Sequence, residues 1–331
     1  MRSSTYGLFA VVQLTMLSCG AAEDSPLFGF AIDGLPAKSE LNTIESTAKI
    51  RPRLVMFYLQ WPSKAGECEF PERPLRAIDS QGAIPVLSWE PMFLDSEGRE
   101  HAISAESVSA GKYDLYVEEF ARRSRQFSKP FLIRFAHEMN LARYHWGGNP
   151  EEFGALSPVG YRAMFRHVVT VFRAQNVNNV RFVFCPNVDS IPAESWNRIS
   201  SYYPGNDVVD VVGLDGYNWG TTQTRLANGW DSQWRSFESI FEAPFTELKR
   251  IAPGKPMAVF ETSSAMQGGN KEEWVLEMLR YAKSLGLAAL IWFQVNKEID
   301  WRLETGVSES VRSLIDMENR SASSRAVLLD R

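Results

Sequence analysis

The chain alternates between short apolar runs and longer amphipathic stretches, and the alternation repeats eight times. The apolar runs are rich in β-branched and aromatic residues, which favours strands over helices. Their near-continuous hydrophobicity is typical of parallel strands that are buried on both faces. The predicted strands are residues 28–32, 53–59, 84–89, 130–137, 180–185, 209–214, 256–261 and 287–293.

The stretches between these runs have the spacing of apolar positions that predicts amphipathic helices. The clearest predicted helices are residues 113–127, 158–175, 236–251 and 271–285. Ser157 and Asn270 stand at candidate N-cap positions, and Gly286 stands where a glycine would end a helix.

Eight strand–helix alternations favour a closed barrel over an open sheet. We therefore predict an α/β protein whose single domain, residues 23–318, is a (β/α)8 TIM barrel, a fold that uses about 250 residues. The segment 319–331 is rich in serine at its start, and we expect it to be a flexible C-terminal tail.

Residues 1–22 have the features of an export signal. Arg2 supplies a positive charge, and residues 7–17 form an apolar segment too short to span a bilayer. Two interpretations remain open. Cys19 could be the lipidated residue of a lipoprotein box, although the residues before it depart from the usual pattern, or residues 20–22 could be an ordinary signal-peptidase site. The first predicts an envelope-anchored protein, with membrane attachment only through Cys19, and the second predicts a secreted one.

The composition excludes several classes of function. Hydrophobic residues make up 44% of the chain, which is too many for a disordered protein. The net charge of −5 leaves no basic surface for nucleic acid. Aromatic residues make up 12%, with 10 Trp, which suits either sugar platforms or ordinary core filling.

Cys68 and Cys185 could form a disulfide or remain free. We expect the protein to be a monomer.

The side chains at the carboxyl ends of the strands are the candidates for chemistry, because active sites of this barrel lie there. The fourth predicted strand leads into Glu138 and the seventh ends in Glu261. Glycoside hydrolysis requires two carboxyl groups, one to protonate the departing oxygen and one to attack the anomeric carbon or activate water. A single glutamate at a strand end is more often part of a structural ion pair, but two among such apolar runs favour catalysis.

Other side chains at the same end are candidate substrate contacts. His137 could bind near the acid, and Tyr217 could donate a hydrogen bond to Glu261; ordinary packing is the alternative for both. The tryptophans are candidate sugar platforms, and Glu90 and Asp215 are either hydroxyl ligands or salt-bridge partners. The predicted contacts are His137, Trp146, Tyr217, Trp292, Trp89, Glu90 and Asp215. Trp146 and Trp292 are the main candidate platforms, and Trp89, Trp219 and Trp301 are weaker ones.

Other chemistries fit the sequence less well. Position 141 is Leu, so His137-Glu138 does not begin a zinc motif with a second histidine. No nucleophile elbow of the form G-x-S-x-G and no Walker-type phosphate loop is present. We therefore expect no metal and no cofactor, and a metal site made by His137 and His145 is a minor alternative.

At these residues the sequence resembles glycoside hydrolase family 26, whose retaining barrel enzymes act on β-mannans, mixed-linkage β-glucans and some β-xylans. The resemblance rests on four blocks, of which His137-Glu138-Met139-Asn140 is the specific one; the blocks are residues 133–147, 212–219, 255–274 and 291–302. It implies Glu138 as general acid/base, Glu261 as nucleophile, His137 and Tyr217 as their neighbours, and Trp146 and Trp292 as substrate contacts.

The sequence departs from the family pattern at two positions close to the sugar site. Gln294 follows Phe293 where many members carry Asn, and Thr262 follows the implied nucleophile, so both put the substrate rather than catalysis in doubt. We expect a retaining endo-β-glycosidase that hydrolyses a plant or microbial β-glycan, either β-mannan or mixed-linkage β-1,3-1,4-glucan. The alternative is a carbohydrate-binding lipoprotein on the same barrel, either without catalysis or specific for an exopolysaccharide.

Overall fold

The computed structural model describes residues 25–64, 66–147, 157–323 and 325–329. The predicted export signal and Cys19 lie outside the described residues. The strands are β1 (Leu27–Ala31), β2 (Leu54–Gln60), β3 (Ile84–Glu90), β4 (Met92–Leu94), β5 (Glu100–Ala102), β6 (Phe131–Phe135), β7 (Val180–Phe184), β8 (Val211–Asn218), β9 (Met257–Ser264) and β10 (Ala289–Phe293).

Eight of these strands close into a parallel barrel in the order β1, β2, β3, β6, β7, β8, β9, β10, with β10 pairing back onto β1. Each of the eight apolar runs overlaps one barrel strand, so the prediction of a (β/α)8 barrel is confirmed. The antiparallel hairpin of β4 and β5 was not predicted from the sequence. It follows β3 at the carboxyl end of the barrel and forms part of the rim above the site.

The longer helices pack against the outside of the barrel, most of them between consecutive strands, and α10 and α11 follow the last strand. They are α1 (Lys38–Ala48), α2 (Glu72–Ser80), α3 (Ala105–Ser109), α4 (Asp114–Phe127), α5 (Ser157–Ala174), α6 (Ile199–Tyr202), α7 (Arg225–Asn228), α8 (Phe237–Ile251), α9 (Lys271–Ser284), α10 (Glu309–Ser321) and α11 (Arg325–Leu329). Asn270 caps α9 as predicted, because its side chain accepts hydrogen bonds from the Glu272 and Glu273 amides. Gly286 follows α9 with a φ of 64°. Ser157, a candidate N-cap, is the first residue of α5 instead.

Side chains along each barrel strand alternate between two cores. In β1, Leu27 and Ala31 belong to the core inside the barrel, whereas Phe28 and Phe30 belong to the core between strands and helices. Gly29 lies where β1 approaches β2 most closely, and a Cβ there would be 2.3 Å from the Leu54 carbonyl oxygen. Only glycine fits at this position, so the close pairing of β1 and β2 depends on it.

The segment 319–331, predicted to be a flexible tail, is docked in the part that the structure describes. Asn319 is buried in α10, where its side-chain amide donates to the Phe28 and Arg51 carbonyls. Leu328 in α11 is buried and belongs to the core inside the barrel. Among the described residues of this segment, Ala322 and Leu328 pack on the core inside the barrel, and this burial of apolar surface opposes fraying.

In the described part of the chain, Cys68 and Cys185 are both free thiols, Cys185 buried and Cys68 half-buried, so they do not form a disulfide with each other. Within the described residues, no helix is both long enough and apolar enough to cross a membrane.

Candidate active site

Glu138 follows β6 at the carboxyl end of the barrel. Ala136 and Glu138 adopt left-handed backbone conformations, with φ of 48° and 49°. Such conformations cost a non-glycine residue roughly 1 kcal/mol or more and cluster at functional sites. The Ala136 amide donates to the Trp89 carbonyl at 3.0 Å, and the Glu138 amide donates to the Cys185 carbonyl at 2.8 Å. These bonds to both neighbouring strands fix the path of the chain around Glu138.

Glu261 lies in β9 at a bulge. Along the pairing with β8, Leu214 lies opposite Val259, but the next pair joins Asp215 to Glu261, so Phe260 is an extra residue in β9. Phe260 packs in the barrel interior. Without the bulge, the alternation of side chains would turn the following residue towards the helices. The bulge therefore allows Glu261 to face the top of the barrel, beside Glu138.

The Glu261 carboxylate is held by three donors. Arg134 of β6 and the Tyr58 hydroxyl, at 2.8 Å, both bind Oε1, and the Tyr217 hydroxyl binds Oε2. Burial, together with the charge of Glu261, raises the pKa values of both tyrosines, so their hydroxyls keep the protons that they donate. A cation and two hydroxyl donors therefore contact the two carboxylate oxygens and hold them in a fixed orientation, as a nucleophile needs.

Arg134 is fully buried and joins Glu261 to Asp215. Its guanidinium binds both carboxylates, and its Nε donates to the Ser88 hydroxyl at 2.7 Å. Asp215 also accepts a bond from the Cys185 thiol at 3.2 Å. The structure therefore corrects the prediction of Asp215 as a substrate ligand: it has no exposed surface and acts as a buried partner of Arg134.

Glu138 has a different environment. The side-chain amide of Asn187 donates a hydrogen bond to the Glu138 Oε1 at 2.6 Å. Burial and the negative charge of Glu261 raise the pKa of Glu138 from 4.5 to about 7. At neutral pH a large fraction of Glu138 is therefore protonated and able to donate a proton, as a general acid must.

Asn187 is positioned by Asn140, the last residue of the His-Glu-Met-Asn block. The Asn140 side chain accepts from the Asn187 amide at 2.9 Å and donates to the Asn187 carbonyl at 2.8 Å. It also reaches the Asp189 carbonyl and the Ser190 hydroxyl, both at 3.1 Å. Asn140 is fully buried, so this network ties the loop after β7 to the loop that carries Glu138.

His137 and Trp146 form a packed layer behind Glu138. The Trp146 indole donates to the His137 carbonyl at 2.7 Å, and the His137 Nε2 lies 3.1 Å from the Tyr144 hydroxyl. Burial lowers the pKa of His137 well below 6.5, so the imidazole is neutral. Both side chains are buried, at 1% and 3% exposed. This corrects their assignment as substrate contacts, because Tyr144 lies between them and the cleft.

Trp89 and Trp292 are not sugar platforms in this structure, because both side chains are fully buried. The Trp89 indole donates to the Tyr116 hydroxyl at 2.9 Å, within the core. The Trp292 indole donates to the Trp301 carbonyl at 2.9 Å. That carbonyl also accepts from Ser263 at 2.8 Å, so Trp292 supports the loop of Trp301 rather than the substrate.

The weaker candidates Trp219 and Trp301 line the cleft, together with Tyr217, Glu90 and both catalytic candidates. Trp301 is nevertheless buried, at 1% exposed, so of these two tryptophans only Trp219 offers exposed ring surface. Trp219 is half-buried, and its ring packs edge-on against Trp301, with centroids 4.8 Å apart. Glu90 is 6% exposed and accepts a bond from the Gln60 amide at 2.5 Å. Burial raises the pKa of Glu90. Because its side chain lines the cleft, Glu90 is a third carboxyl group that a bound sugar can reach.

The cleft consists of two cavities that meet at Glu138. The Glu261 cavity has a volume of about 350 Å³ and is lined by Tyr58, Gln60, Glu90, Glu138 and Glu261, among others. The Trp230 cavity has a volume of about 1010 Å³ and is lined by Glu138, Asn187, Ile191, Trp219 and Trp230, among others. The two cavities share Glu138, Tyr217 and Trp219, among others, so a ligand bound at Glu138 can extend into both.

No group of His, Cys, Asp and Glu side chains that could hold a metal ion occurs in the described part of the chain. His145, considered with His137 as a metal ligand, lies 3.5 Å from Glu100 at the rim instead.

Three residues of the site were missed by the sequence reasoning. Arg134 could have been found as a lone charge inside an apolar strand, since such a residue must have buried partners. Asn187 follows β7 at the same end of the barrel as the two glutamates. Tyr58 has no such signal, because an aromatic residue is ordinary in a strand.

A profile of glycosyl hydrolase family 26 matches residues 105–254. Endoglucanase H from Acetivibrio thermocellus is 30% identical over 299 residues, which are 88% of this chain and 30% of that protein. A mannan endo-1,4-beta-mannosidase from Bifidobacterium adolescentis is 27% identical over 154 residues, covering 42% of this chain and 15% of the relative. The chain therefore spans less than a third of the length of these relatives.

Solved structures show the same fold. The Bacillus subtilis mannanase BCman superposes with a TM-score of 0.63 at 14% identity, covering 88% of this chain and 85% of the other. A GH26A protein from a Muricauda species superposes with a TM-score of 0.58 at 17% identity, covering 87% and 90%.

Proposed function

We propose that this chain, which belongs to glycosyl hydrolase family 26, is an endo-acting β-glycosidase that hydrolyses a polysaccharide with retention of anomeric configuration. The observation that carries the proposal is the contrast between two carboxyl groups in one cleft. Glu261 is held by a guanidinium and two hydroxyl donors, whereas Glu138 has a pKa raised to about 7. A nucleophile and a general acid need these two environments.

In the first step Glu138 protonates the glycosidic oxygen while Glu261 attacks the anomeric carbon. The bond to the leaving sugar breaks, and a glycosyl ester forms on Glu261. The Tyr58 and Tyr217 hydroxyls hold the carboxylate in position for the attack, and Arg134 balances the charge of Asp215 behind it.

In the second step the ionised Glu138 takes a proton from water, and the water oxygen attacks the anomeric carbon. The electron pair of the ester bond returns to Glu261. Once Glu261 is esterified, its negative charge no longer raises the pKa of Glu138, and the Asn187 amide still stabilises the carboxylate. Glu138 thereby changes from acid to base as the reaction proceeds.

We favour a β-glucan, mixed-linkage β-1,3-1,4-glucan included, as the substrate. The support is that the endoglucanase relative matches 88% of the chain at 30% identity. β-Mannan is the second candidate, because mannosidase relatives from Bifidobacterium adolescentis and Caldalkalibacillus mannanilyticus match shorter stretches at 27% and 32%. Endo action is supported by the cavities on both sides of Glu138.

The test is reducing-sugar release and loss of viscosity with barley β-glucan, carboxymethylcellulose, mannan, galactomannan and xylan. Glu138→Ala and Glu261→Ala are assayed beside Glu97→Ala, a rim glutamate with an exposed side chain. We expect a rapid fall in the viscosity of β-glucan, lost in the first two variants and kept in the third. Binding of a polymer without bond cleavage by the folded protein would favour the binding-only alternative.

We also propose that the protein is exported through residues 1–22. Production of the full chain in a bacterial host with radiolabelled fatty acid tests the two forms of export. Label that enters the wild-type protein but not Cys19→Ser supports a lipoprotein, and unlabelled protein in the medium or periplasm supports simple secretion. Retention of the full-length chain in the cytoplasm would contradict both.

A further inference from the structure

Lys271 is the first residue of α9 and is buried, at 3% exposed. Its Nζ donates to the Trp301 carbonyl at 3.3 Å and to the Arg302 carbonyl at 2.9 Å, and within the described part of the chain it forms no ion pair. Burial lowers the pKa of Lys271 from 10.5 to about 8, although Asp300 and Glu304 favour the charged form from farther away. A buried ammonium group without a carboxylate partner is costly to the fold.

The position of Lys271 in its helix adds to this cost. The amino-terminal end of a helix carries a partial positive charge, which favours acidic side chains there and disfavours a lysine. The next residues of α9 follow this rule, because Glu272 and Glu273 lie in its first turn. The Nζ also lies 5.4 Å from the centre of the Trp292 ring, a cation–π contact that lowers the cost of burial. The stability of the helix does not account for a lysine at this position.

The two carbonyls that Lys271 binds belong to residues 300–305, which we call the Trp301 loop. Gln294, which directly follows β10, attaches to the same loop. Its Nε2 donates to Glu304 at 2.6 Å, and its Oε1 accepts from the Leu303 amide at 3.0 Å. Gln294 lines neither cavity, so this departure from the family pattern concerns the loop rather than a direct contact with sugar. Lys271 and Gln294 together fix residues 301–304.

The Trp301 loop reaches the proposed nucleophile through Tyr217. The Trp301 ring lies 5.1 Å from the Tyr217 ring, centre to centre, and the Tyr217 hydroxyl binds Glu261. Phe293 packs against the same tyrosine ring at 5.8 Å. A ring enclosed by close-packed neighbours has little freedom to turn, so the position of Trp301 decides where the Tyr217 hydroxyl lies. Lys271 itself lines neither cavity, and its route to Glu261 is through these two rings.

We propose that Lys271 is a positioning residue for the retaining reaction: it holds the Trp301 loop so that Trp301 keeps the Tyr217 hydroxyl on Glu261. This role of Lys271 rests on the proposed function, because it takes Glu261 as the nucleophile. A carboxylate that is displaced or free to turn attacks the anomeric carbon less often, whereas sugars bound elsewhere in the cleft lose no contact. Loss of the lysine should therefore lower kcat with little change in KM.

The experiment compares Lys271→Met with the wild type on the polymer that is hydrolysed best. Methionine keeps the apolar stem and removes the donors. We expect kcat to fall roughly tenfold, with KM within about twofold of the wild type, because a small misplacement of a reacting group slows the chemical step. In denaturant titrations the free energy of unfolding should equal or exceed that of the wild type, because a buried charge is removed. The control is Lys283→Met, a half-buried lysine in the last turn of α9, which should keep the wild-type kcat.

A double-mutant cycle tests the route through Tyr217. Tyr217→Phe removes the hydroxyl and keeps the ring, so in that background Lys271→Met should lower kcat by less than about twofold. Equal effects of Lys271→Met in both backgrounds, an unchanged kcat in Lys271→Met alone, or a Lys271→Met protein that does not fold would overturn the role of Lys271. A folded wild-type protein that hydrolyses none of the polymers would instead contradict the proposed function.

Discussion

The loop after β6 and strand β9 each place a glutamate in the cleft, and the two glutamates have opposite surroundings. Glu138 and Glu261 are both 7% exposed, so burial alone does not distinguish them. Glu261 is bound by Arg134, Tyr58 and Tyr217, whereas Glu138 has a neutral amide from Asn187 and a negative neighbour. The side chains that reach each carboxyl group, rather than the depth of its burial, are the basis on which we propose Glu261 as the nucleophile and Glu138 as the acid.

The largest expected effect comes from removing the nucleophile. Glu261→Ala should lower kcat by on the order of 10⁴-fold or more, because the covalent step has no other acceptor. Azide added to this variant should restore turnover from the opposite face and give a glycosyl azide of inverted configuration. Azide added to Glu138→Ala should instead give the retained configuration. The same product from both variants would mean that the two residues do not have different roles.

Arg134 is the cation in the surroundings of Glu261, and its removal should lower the stability of the protein. Arg134→Met would leave Asp215 and Glu261 buried without their cation, and we expect the free energy of unfolding to fall by about 3–5 kcal/mol. The control is Arg166→Met, which breaks an exposed pair with Asp207 and should cost about 1 kcal/mol or less. Denaturant titrations of both variants measure the difference. Equal losses would show that the buried charges are balanced by other groups.

The raised pKa of Glu138 predicts an unusual dependence of protein stability on pH. Its pKa is raised in the folded state from 4.5 to about 7, so folding disfavours its ionised form. Glu138 therefore contributes to the free energy of unfolding below about pH 4.5. This contribution, at most about 3 kcal/mol, is lost as the pH rises through about 7.

Glu138→Gln lacks this titration, so its stability relative to wild type should increase between pH 5 and pH 8 in denaturant titrations. Glu67→Gln, an exposed glutamate, serves as the control and should follow the wild type at both pH values. A difference between Glu138→Gln and wild type that stays constant with pH would contradict the raised pKa.

The smallest expected effect is a change in the pKa of Glu138. The Asn187 amide favours the ionised form, so Asn187→Ala should raise the pKa of Glu138 further, by roughly one pH unit for a lost hydrogen bond. In the profile of kcat/KM against pH, the loss of activity on the alkaline side reports this group. That limb should lie near pH 7 in the wild type and higher in the variant. A lower or unchanged limb would show that Asn187 does not act on the acid.

The fold and the two glutamates could be predicted because each apolar run, and the residue at its end, can be recognised without knowing which strands are neighbours. Eight apolar runs separated by amphipathic stretches define the barrel, and Glu138 and Glu261 stand out where such runs end. Glu261 was placed at the end of its strand, although β9 and β8 both continue past the predicted ends, to Ser264 and Asn218.

The surroundings of the glutamates could not be predicted in the same way, because they depend on neighbours from other strands. Tyr58 reaches Glu261 across the barrel, and the bulge at Phe260 is invisible in the sequence. Trp89 and Trp292 were assigned to the substrate because tryptophan is suited to sugars, yet their strands turn both indoles into the core. Residue type alone does not tell whether a side chain at a strand end faces the cleft or the helices.

The most direct test of the two-glutamate account is mass spectrometry of the protein after reaction with a 2-deoxy-2-fluoro glycoside of the best substrate, which slows hydrolysis of the ester. The account predicts one added glycosyl group, found on the peptide that contains Glu261 and absent in Glu261→Gln. An adduct on another residue, or full turnover of an unmodified substrate with inverted products and no adduct, would contradict it.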